Sequence, residues 1–471
     1  MKANKILTIA LAAGLMTSCG VYKSYERPAE IKTDGIYGDA QSGDSTGLGD
    51  IEWHQVFTDP TLQALIEKTL AQNTNMKQAD LRIQEMQNNL KSAKLAFAPS
   101  FAFAPSGTIS GIVDPYDRDK YKGMMGNGAS KTYSFPLSMS WQIDCFASLR
   151  NSKKKAEVAL ENQKSVRQSV KTSLIANVAS LYYTLAMLDE QLRIAKETSE
   201  TWKKNVDMTK MLFDAGQANK ASVASTEANY WSISANVLEL EHSIKQIENS
   251  LSTLCGETPT HIERGTLASF RTPAVCTTGL PIGLLSRRPD VKQAELALAS
   301  AFYNKNIAKA AFYPALNISA SGQYANSISG AGIVNPGGII MAAVASLTQP
   351  IFQNGKLRAA YKNSKAELEV ATLGFQQTLL DAGAEVNTAM AAIHTAQAKK
   401  EYLANQVSSL QDAVDATQKL WDLTSINYLQ ILTAQSSLLS AQLNQVANDY
   451  SVISNTIDLY QALGGGADVE K

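Results

Sequence analysis

The chain has 471 residues, in which 43 Lys and Arg balance 43 Asp and Glu. That length exceeds one ordinary core, so elongation or several domains is expected, and the neutral balance recommends neither nucleic acid nor an anionic surface as a partner. Only 18% of residues are charged while 45% are hydrophobic, which suits a wall that faces water on one side and packed helices on the other.

Residues 1–18 read as a signal peptide. Lys2 and Lys5 precede an apolar run from Ile6 to Met16, too short to cross a bilayer as a helix. The run closes on Leu15-Met16-Thr17-Ser18-Cys19, which resembles a bacterial lipobox with lipid carried on the sulfur and new amine of Cys19. The alternative is a chance cysteine after an ordinary signal. Residues 19–58, rich in Gly, Ser, Asp and Thr, then form a lipidated, extended tether.

A first structural unit covers residues 59–264. Asp59-Pro60 opens a short helix, and with neither Gly nor Pro between Thr61 and Ala98 the helical reading continues to Pro99, which stops it. The period then becomes two. Tyr133, Phe135, Leu137, Met139, Trp141, Ile143 and Cys145 alternate with Thr132, Ser134, Pro136, Ser138, Ser140, Gln142 and Asp144, the signature of a strand with one apolar face. Phe101 and Phe103 begin a similar strand, giving a β-hairpin over about 99–146. A helix without Gly or Pro follows from about 148 to 212 and ends in a tip turn at 213–222 containing Asp214 and Gly216. The return helix carries Val223, Thr226, Tyr230, Ile233, Val237, Leu240, Ile244, Ile247, Leu251 and Leu254 at strict 3,4 spacing, which predicts knobs-into-holes packing on a near-parallel neighbour.

An inter-repeat segment, 265–288, leads to a second unit at 289–466 and a tail at 467–471. The second unit has the same plan: a helix, a hairpin over about 314–352, a long helix, a tip turn at 421–430 containing Asp422, Thr424 and Ser425, and a return helix. Its seam runs from Leu429 and Leu432 to Ile457 and Tyr460. The two units repeat each other. Asn75–Leu81 recurs as Asp290–Leu296 at an offset of 215, and beyond the hairpin Leu149-Arg150, Asp214 and Gly256 fall on Leu357-Arg358, Asp422 and Gly464 at an offset of 208.

Four strands with one apolar face cannot close a barrel, and an open sheet is not viable in lipid because its edges stay unpaired. Copies must therefore pool strands, two giving eight and three giving twelve. A soluble sheet packed on the chain's own helices is the alternative. The fold class expected from the residues is mainly α with membrane β, long coiled-coil helices joined to a transmembrane β-barrel.

Several elements resemble the TolC-type outer membrane factors, in the lipoprotein branch (NodT-like) that serves resistance-nodulation-division (RND) efflux. They are Trp53–Leu62 with Phe57, Asp59 and Pro60; Gly279-Leu280-Pro281 with Leu284–Asp290; Leu347–Phe352 with Gly355; and Leu459–Gly466. The resemblance implies a homotrimer in the outer membrane of a Gram-negative bacterium, with twelve strands in outer membrane lipid and twelve helices closed into a coiled-coil helical barrel across the periplasm. It further implies a periplasmic membrane fusion (adaptor) protein docked on the two tips, and an RND-type inner membrane pump. Family relatives narrow their entrance with acidic residues after the second turn, whereas this chain reads Leu429-Gln430-Ile431-Leu432-Thr433 there. Asp207 and Asp415, equivalent under the repeat, and Asp412 are the candidates for a lumenal gate; solvated exterior carboxylates are the alternative.

Other signals carry less. Cys255 and Cys276 flank a loop containing Gly256, Pro259, Gly265 and Pro273, where a disulfide is chemically allowed in an exported chain. Gly123–Thr132 fails the spacing of a phosphate loop, and Ser152 with Lys155 lacks the companion motifs of a serine acylase. His54, His242, His261 and His394 stand apart, so neither a metal nor a cofactor is expected. A passive duct is the main expectation and an enzyme the least. The rivals are a lipid-anchored periplasmic coiled-coil scaffold and the outer membrane duct of a type I protein secretion system.

Overall fold

The structure is a computed structural model that describes residues 24–27, 52–110, 130–267, 270, 288–329, 332–423 and 428–466. The signal peptide, Cys19, Cys276, Thr424, Ser425 and the tail lie outside the described residues, as does the side chain of Asp422. The chain divides into two compact units.

The first unit comprises Met1–Pro28, Ile83–Asn162 and Glu295–Gly374 and holds all the strands. These are β1 (Ser100–Phe103), β2 (Ser106–Ser110), β3 (Ser130–Ile143), β4 (Ala315–Ser329) and β5 (Gly332–Thr348). They form one antiparallel meander in which β1 and β2 both pair with β3, β3 pairs with β4, and β4 pairs with β5. The first predicted strand is thus one path interrupted at Ala104-Pro105, where proline has no donor for the ladder.

The second unit comprises Ala29–Arg82, Gln163–Ala294 and Phe375–Lys471 and is helical. The helices of the chain are α1 (Trp53–Val56), α2 (Pro60–Gln72), α3 (Thr74–Leu95), α4 (Ser148–Asp214), α5 (Lys220–Leu254), α6 (Pro289–Ala310), α7 (Lys356–Leu423) and α8 (Tyr428–Ala462). At 67 and 68 residues, α4 and α7 each run on the order of 100 Å. Every member of the α5 seam is buried or half-buried, whereas Trp231 and Leu238 beside it are 65% and 67% exposed. Along α8 the buried stripe is wider than a strict seam, since Ile431, Leu438 and Ala441 are buried with Leu432, Val446, Ile453, Ile457 and Tyr460. Of the described seam members on α8, Ser436 is exposed.

The helical stretch read from Thr61 to Ala98 consists of two helices, α2 and α3, parted at Asn73. Asn73 leaves the helical region (φ −58°, ψ 133°), its Oδ1 accepts from Asn75 N at 2.8 Å, and its Nδ2 donates to the carbonyl of Leu254 at 2.9 Å. The break therefore starts α3 and satisfies a carbonyl at the end of α5, of the kind that helix geometry leaves unpaired.

Candidate functional site

The sheet lays apolar residues in register across all four strand positions. Phe101 faces Met139 and Phe103 faces Leu137; Phe135 faces Tyr324 and Trp141 faces Ile318; Tyr324 faces Ile339, Gly322 faces Met341 and Leu316 faces Leu347. Directly paired residues share a face, so these side chains form one continuous apolar surface. Within a single chain it is open: Phe101, Ile339 and Met341 are 67%, 77% and 82% exposed. The opposite face carries Ser138, Ser140 and Gln142, and these too are exposed. A sheet buried under its own helices is thereby excluded. Among the described residues β1, β2 and β5 keep an unpaired edge, and the sheet does not close within one chain.

Each strand layer is fixed to the helix before it. Trp141 Nε1–H donates to the Phe97 carbonyl and Gln349 Nε2–H to the Phe312 carbonyl, both at 2.9 Å. Asp144 then starts α4, its two oxygens accepting from the backbone N–H of Leu149 and Arg150 at 2.9 Å each. Ala147 and Gly355, equivalent under the repeat, both take positive φ, at 58° and 78°. In the second repeat glycine adopts that conformation without steric cost.

Among the described residues, the signature segments around Phe57 and Asp59, around Arg288 and Asp290, and at Leu459–Gly466 meet in the helical unit, while Leu347–Phe352 and Gly355 belong to the strand-bearing one. Asp59 caps α2 by accepting from Thr61 N at 2.9 Å and also accepts from the hydroxyl of Tyr182 at 2.8 Å. That hydroxyl accepts from Gly265 N at 2.8 Å. Phe57 packs edge-on against Tyr460 at 5.7 Å. The Gly464-Gly465-Gly466 turn folds over the Tyr460 ring, and a Cβ on Gly465 would lie 2.3 Å from it. Thr172 Oγ1 donates to Gly465 O and Gln168 Nε2 to Gly466 O, each at 2.7 Å, which fastens the turn to α4. Arg288, buried, donates to Ala462 O at 2.6 Å and pairs with Asp290 and Glu385 at 2.7 Å each.

A second arginine, its side chain 8% exposed, holds α4 to α5. Arg264 grips Asp189 on α4 through two bonds of 2.5 and 2.8 Å and reaches Glu248 on α5 at 2.7 Å. Glu248 is 2% exposed and also meets Lys245 and His261 at 3.2 and 2.7 Å. Burial by itself would raise its carboxyl, but hydrogen bonds from Arg264, Lys245 and His261 outweigh it and bring the value down to about 2. Cys255 is a buried free thiol with its sulfur 3.3 Å from Thr69 Oγ1. Its considered partner, Cys276, lies outside the described residues.

At the first tip α4 ends at Asp214, and Gly216 turns the chain with φ 71°. Gln217 N donates to Leu212 O at 2.8 Å, and Asn219 caps α5 by accepting from Ser222 N at 2.8 Å. This cap was legible as an Asn just before the helical seam. Lys210 and Glu227 join the two helices at 2.8 Å. Met211 and Phe213 are exposed on the α4 side, and Asp422 lies in the last turn of α7. Asp207 on α4 and Asp412 and Asp415 on α7 are all exposed, and Gln411 Nε2 donates to Asp415 Oδ1 at 3.1 Å. Among the described residues no cluster of three or more His, Cys, Asp or Glu is placed to hold a metal ion, and no helix is long and apolar enough to cross a membrane.

The profile of the outer membrane efflux protein family matches residues 65–257 and 280–465. The probable efflux pump outer membrane protein TtgC of Pseudomonas putida is 26% identical over 98% of this chain and 96% of its own length. The cation efflux system protein CusC of Escherichia coli K12 is 25% identical over 99% of this chain and 100% of its own. Among solved structures, CusC superposes with a TM-score of 0.81 at 23% identity, covering 95% of this chain and 100% of that one. The open state of the Neisseria gonorrhoeae MtrE outer membrane channel gives 0.81 at 25% identity, covering 95% and 98%. With both repeats inside the matched profile and the fold shared with outer membrane channels, the chain belongs to the outer membrane efflux protein family.

Proposed function

We propose that this outer membrane efflux protein works as a passive trimeric duct. Three copies pool their sheets into a twelve-stranded barrel, and their long helices continue the passage through the periplasm. The observation that carries this reading is the apolar face shared by all strands and left open, with unpaired edges, in one chain. From Tyr133 to Ile143 the apolar side of β3 rises roughly 34 Å along the strand, or about 25 Å after the usual tilt, the height of the lipid-facing band of membrane barrels. Lipid on Cys19 would enter the same membrane, and further along the tether Tyr25 packs on Phe302 at 5.8 Å.

The tips around Asp214 and Gly216 and around Asp422, Thr424 and Ser425 would receive a periplasmic adaptor linked to an RND-type inner membrane pump, and Asp207, Asp412 and Asp415 would narrow the entrance. The named cargoes of relatives include toluene and cations; a duct that performs no chemistry leaves that choice to the pump, and small toxic molecules are the proposed cargo here. Detergent-extracted protein is expected to run as a trimer and to conduct ions across planar bilayers. A monomer that conducts nothing would overturn the proposal.

A further inference from the structure

The chain is neutral as a whole, yet its charge is distributed unevenly within the strand-bearing unit. The three or so helical turns that adjoin the strands, residues 86–95, 148–156, 302–310 and 356–366, hold twelve Lys and Arg and no Asp or Glu. Three of these positions are written twice, as Lys94 and Lys309 at an offset of 215, and as Arg150 with Arg358 and Lys154 with Lys362 at 208. The nearest carboxylates, Glu85, Asp144, Glu157 and Glu367 at the margins of these segments, are too few to neutralise the set, and Glu367 accepts from Asn304 at 3.1 Å. Asp144 caps α4 and meets Arg150 at 3.3 Å, while Glu157 is shared by Lys153 and Lys154 at 3.6 and 3.3 Å. Burial, together with the charges of Lys309 and Lys365 beside it, pushes the Lys305 ammonium below the ordinary lysine value, so cations face cations here.

What adjoins this collar is apolar and open. Ile351 and Phe352, immediately after β5, are 95% and 81% exposed, and Lys356 and Arg358 follow within a few residues. Exposed apolar groups followed at once by a band of Lys and Arg match the boundary between hydrocarbon and headgroups. The tether supplies an independent marker of depth, because Tyr25 packs on the ring of Phe302, over which Lys305 Nζ sits at 4.9 Å.

We propose that this basic collar binds the phosphates of anionic phospholipid headgroups in the inner leaflet of the outer membrane. The inference rests on the barrel reading above. It gives the trimer a seat that fixes its depth in the bilayer, since Lys and Arg near an anionic surface each contribute favourably to adsorption. The neutrality of the complete chain, which recommended no anionic surface, conceals it.

The test uses the full-length lipidated protein in nanodiscs of phosphatidylcholine alone or with one third phosphatidylglycerol. Native mass spectrometry counts the lipids retained. We expect phosphatidylglycerol to be retained about ten-fold over phosphatidylcholine. The quadruple variant Lys94→Gln, Lys154→Gln, Arg358→Gln, Lys362→Gln should bring that preference close to one. A control removing Lys203, Lys204 and Lys399, exposed on the other unit, should leave it intact. Insertion with equal retention of both lipids, or a quadruple variant that behaves as the parent, overturns the collar and leaves the barrel standing. Failure to enter the nanodisc overturns both. Loss of the preference on adding millimolar inorganic phosphate at constant ionic strength would assign the collar to free phosphate and overturn the lipid assignment.

Discussion

Trp141 donates its indole N–H to the backbone carbonyl of Phe97 at 2.9 Å, and the second repeat makes the same bond with a different donor, Gln349 to Phe312, at the same length. The positions correspond, at offsets of 208 for the donors and 215 for the carbonyls, so the bond is kept while the side chain that makes it changes. Each bond ties the end of a helix to the base of a strand that runs the other way. Trp141→Phe retains the ring and deletes the donor. It should cost about 1 kcal/mol of stability, read as a lower unfolding midpoint of the extracted protein, and Trp141→Phe with Gln349→Leu should lose about twice that. A double variant melting with the parent would show that the bonds hold nothing.

The Arg264 clamp predicts an acid limb. An ordinary glutamate titrates near 4.5, whereas Glu248 in the folded protein titrates near 2. A carboxyl held low stabilises the fold fully above the ordinary value, and that contribution is lost as the pH falls toward and through the folded value. The shift corresponds to roughly 3 kcal/mol. Melting temperature should therefore be flat in this respect above pH 5 and should fall between about 4.5 and about 2. Glu248→Gln should start lower at neutral pH and show a shallower acid decline. Parallel pH profiles for parent and variant would remove Glu248 as the cause.

Periodicity makes most of the architecture readable from the residues alone. The alternation from Thr132 to Ile143 and the 3,4 spacing from Val223 to Leu254 encode which face each residue presents, because side-chain direction follows directly from strand and helix geometry. Asn73 shows where such reading stops. Asparagine favours helix starts and Asn73 accepts locally from Asn75 N, but its bond to the carbonyl of Leu254, distant in sequence, shows in no local pattern. Glu248 was hidden in a similar way. A glutamate between seam residues reads as solvated, and it is buried only because Arg264 returns over it from the segment beyond α5. The candidate constriction was the least legible part, since Asp207 and Asp415 are exposed in a single chain and a helical period does not say which exposed side would face a lumen.

Gly465 is constrained by space. A Cβ there would sit 2.3 Å from the ring of Tyr460, itself fully buried. Gly465→Ala must displace the ring or lift the turn from Thr172, and overpacking of that kind costs about 1–3 kcal/mol. Adding Tyr460→Leu should relieve the clash, so that the double variant is more stable than the sum of the two single effects predicts. Simple additivity would mean that the glycine serves some other purpose.

Cys19→Ser should abolish acylation while leaving the helices and strands intact, since Tyr25 and Arg27 still bind α6 through Phe302 and Glu295. Metabolic labelling with palmitate, followed by immunoprecipitation, reads this directly. Label persisting in the variant would place the lipid elsewhere or dismiss the lipobox reading.

Leu432 tests the packing of the long helices on one another. It is 3% exposed and belongs to one cluster with Ala195, Trp202, Ile233 and Ile431, on α4, α5 and α8. Leu432→Asp would bury a carboxylate among these apolar side chains. Such a group either stays charged at a cost of several kcal/mol or takes up a proton. The helices should therefore separate locally, lowering both trimer recovery and the unfolding midpoint, with partial rescue as the pH drops and the carboxyl is protonated. Leu238→Asp is the matched control, because Leu238 is 67% exposed in the single chain and its aspartate can stay hydrated. If Leu432→Asp formed trimers with an unchanged midpoint, the cluster would not be holding these helices together, and the tunnel would have to be stabilised by contacts between copies instead.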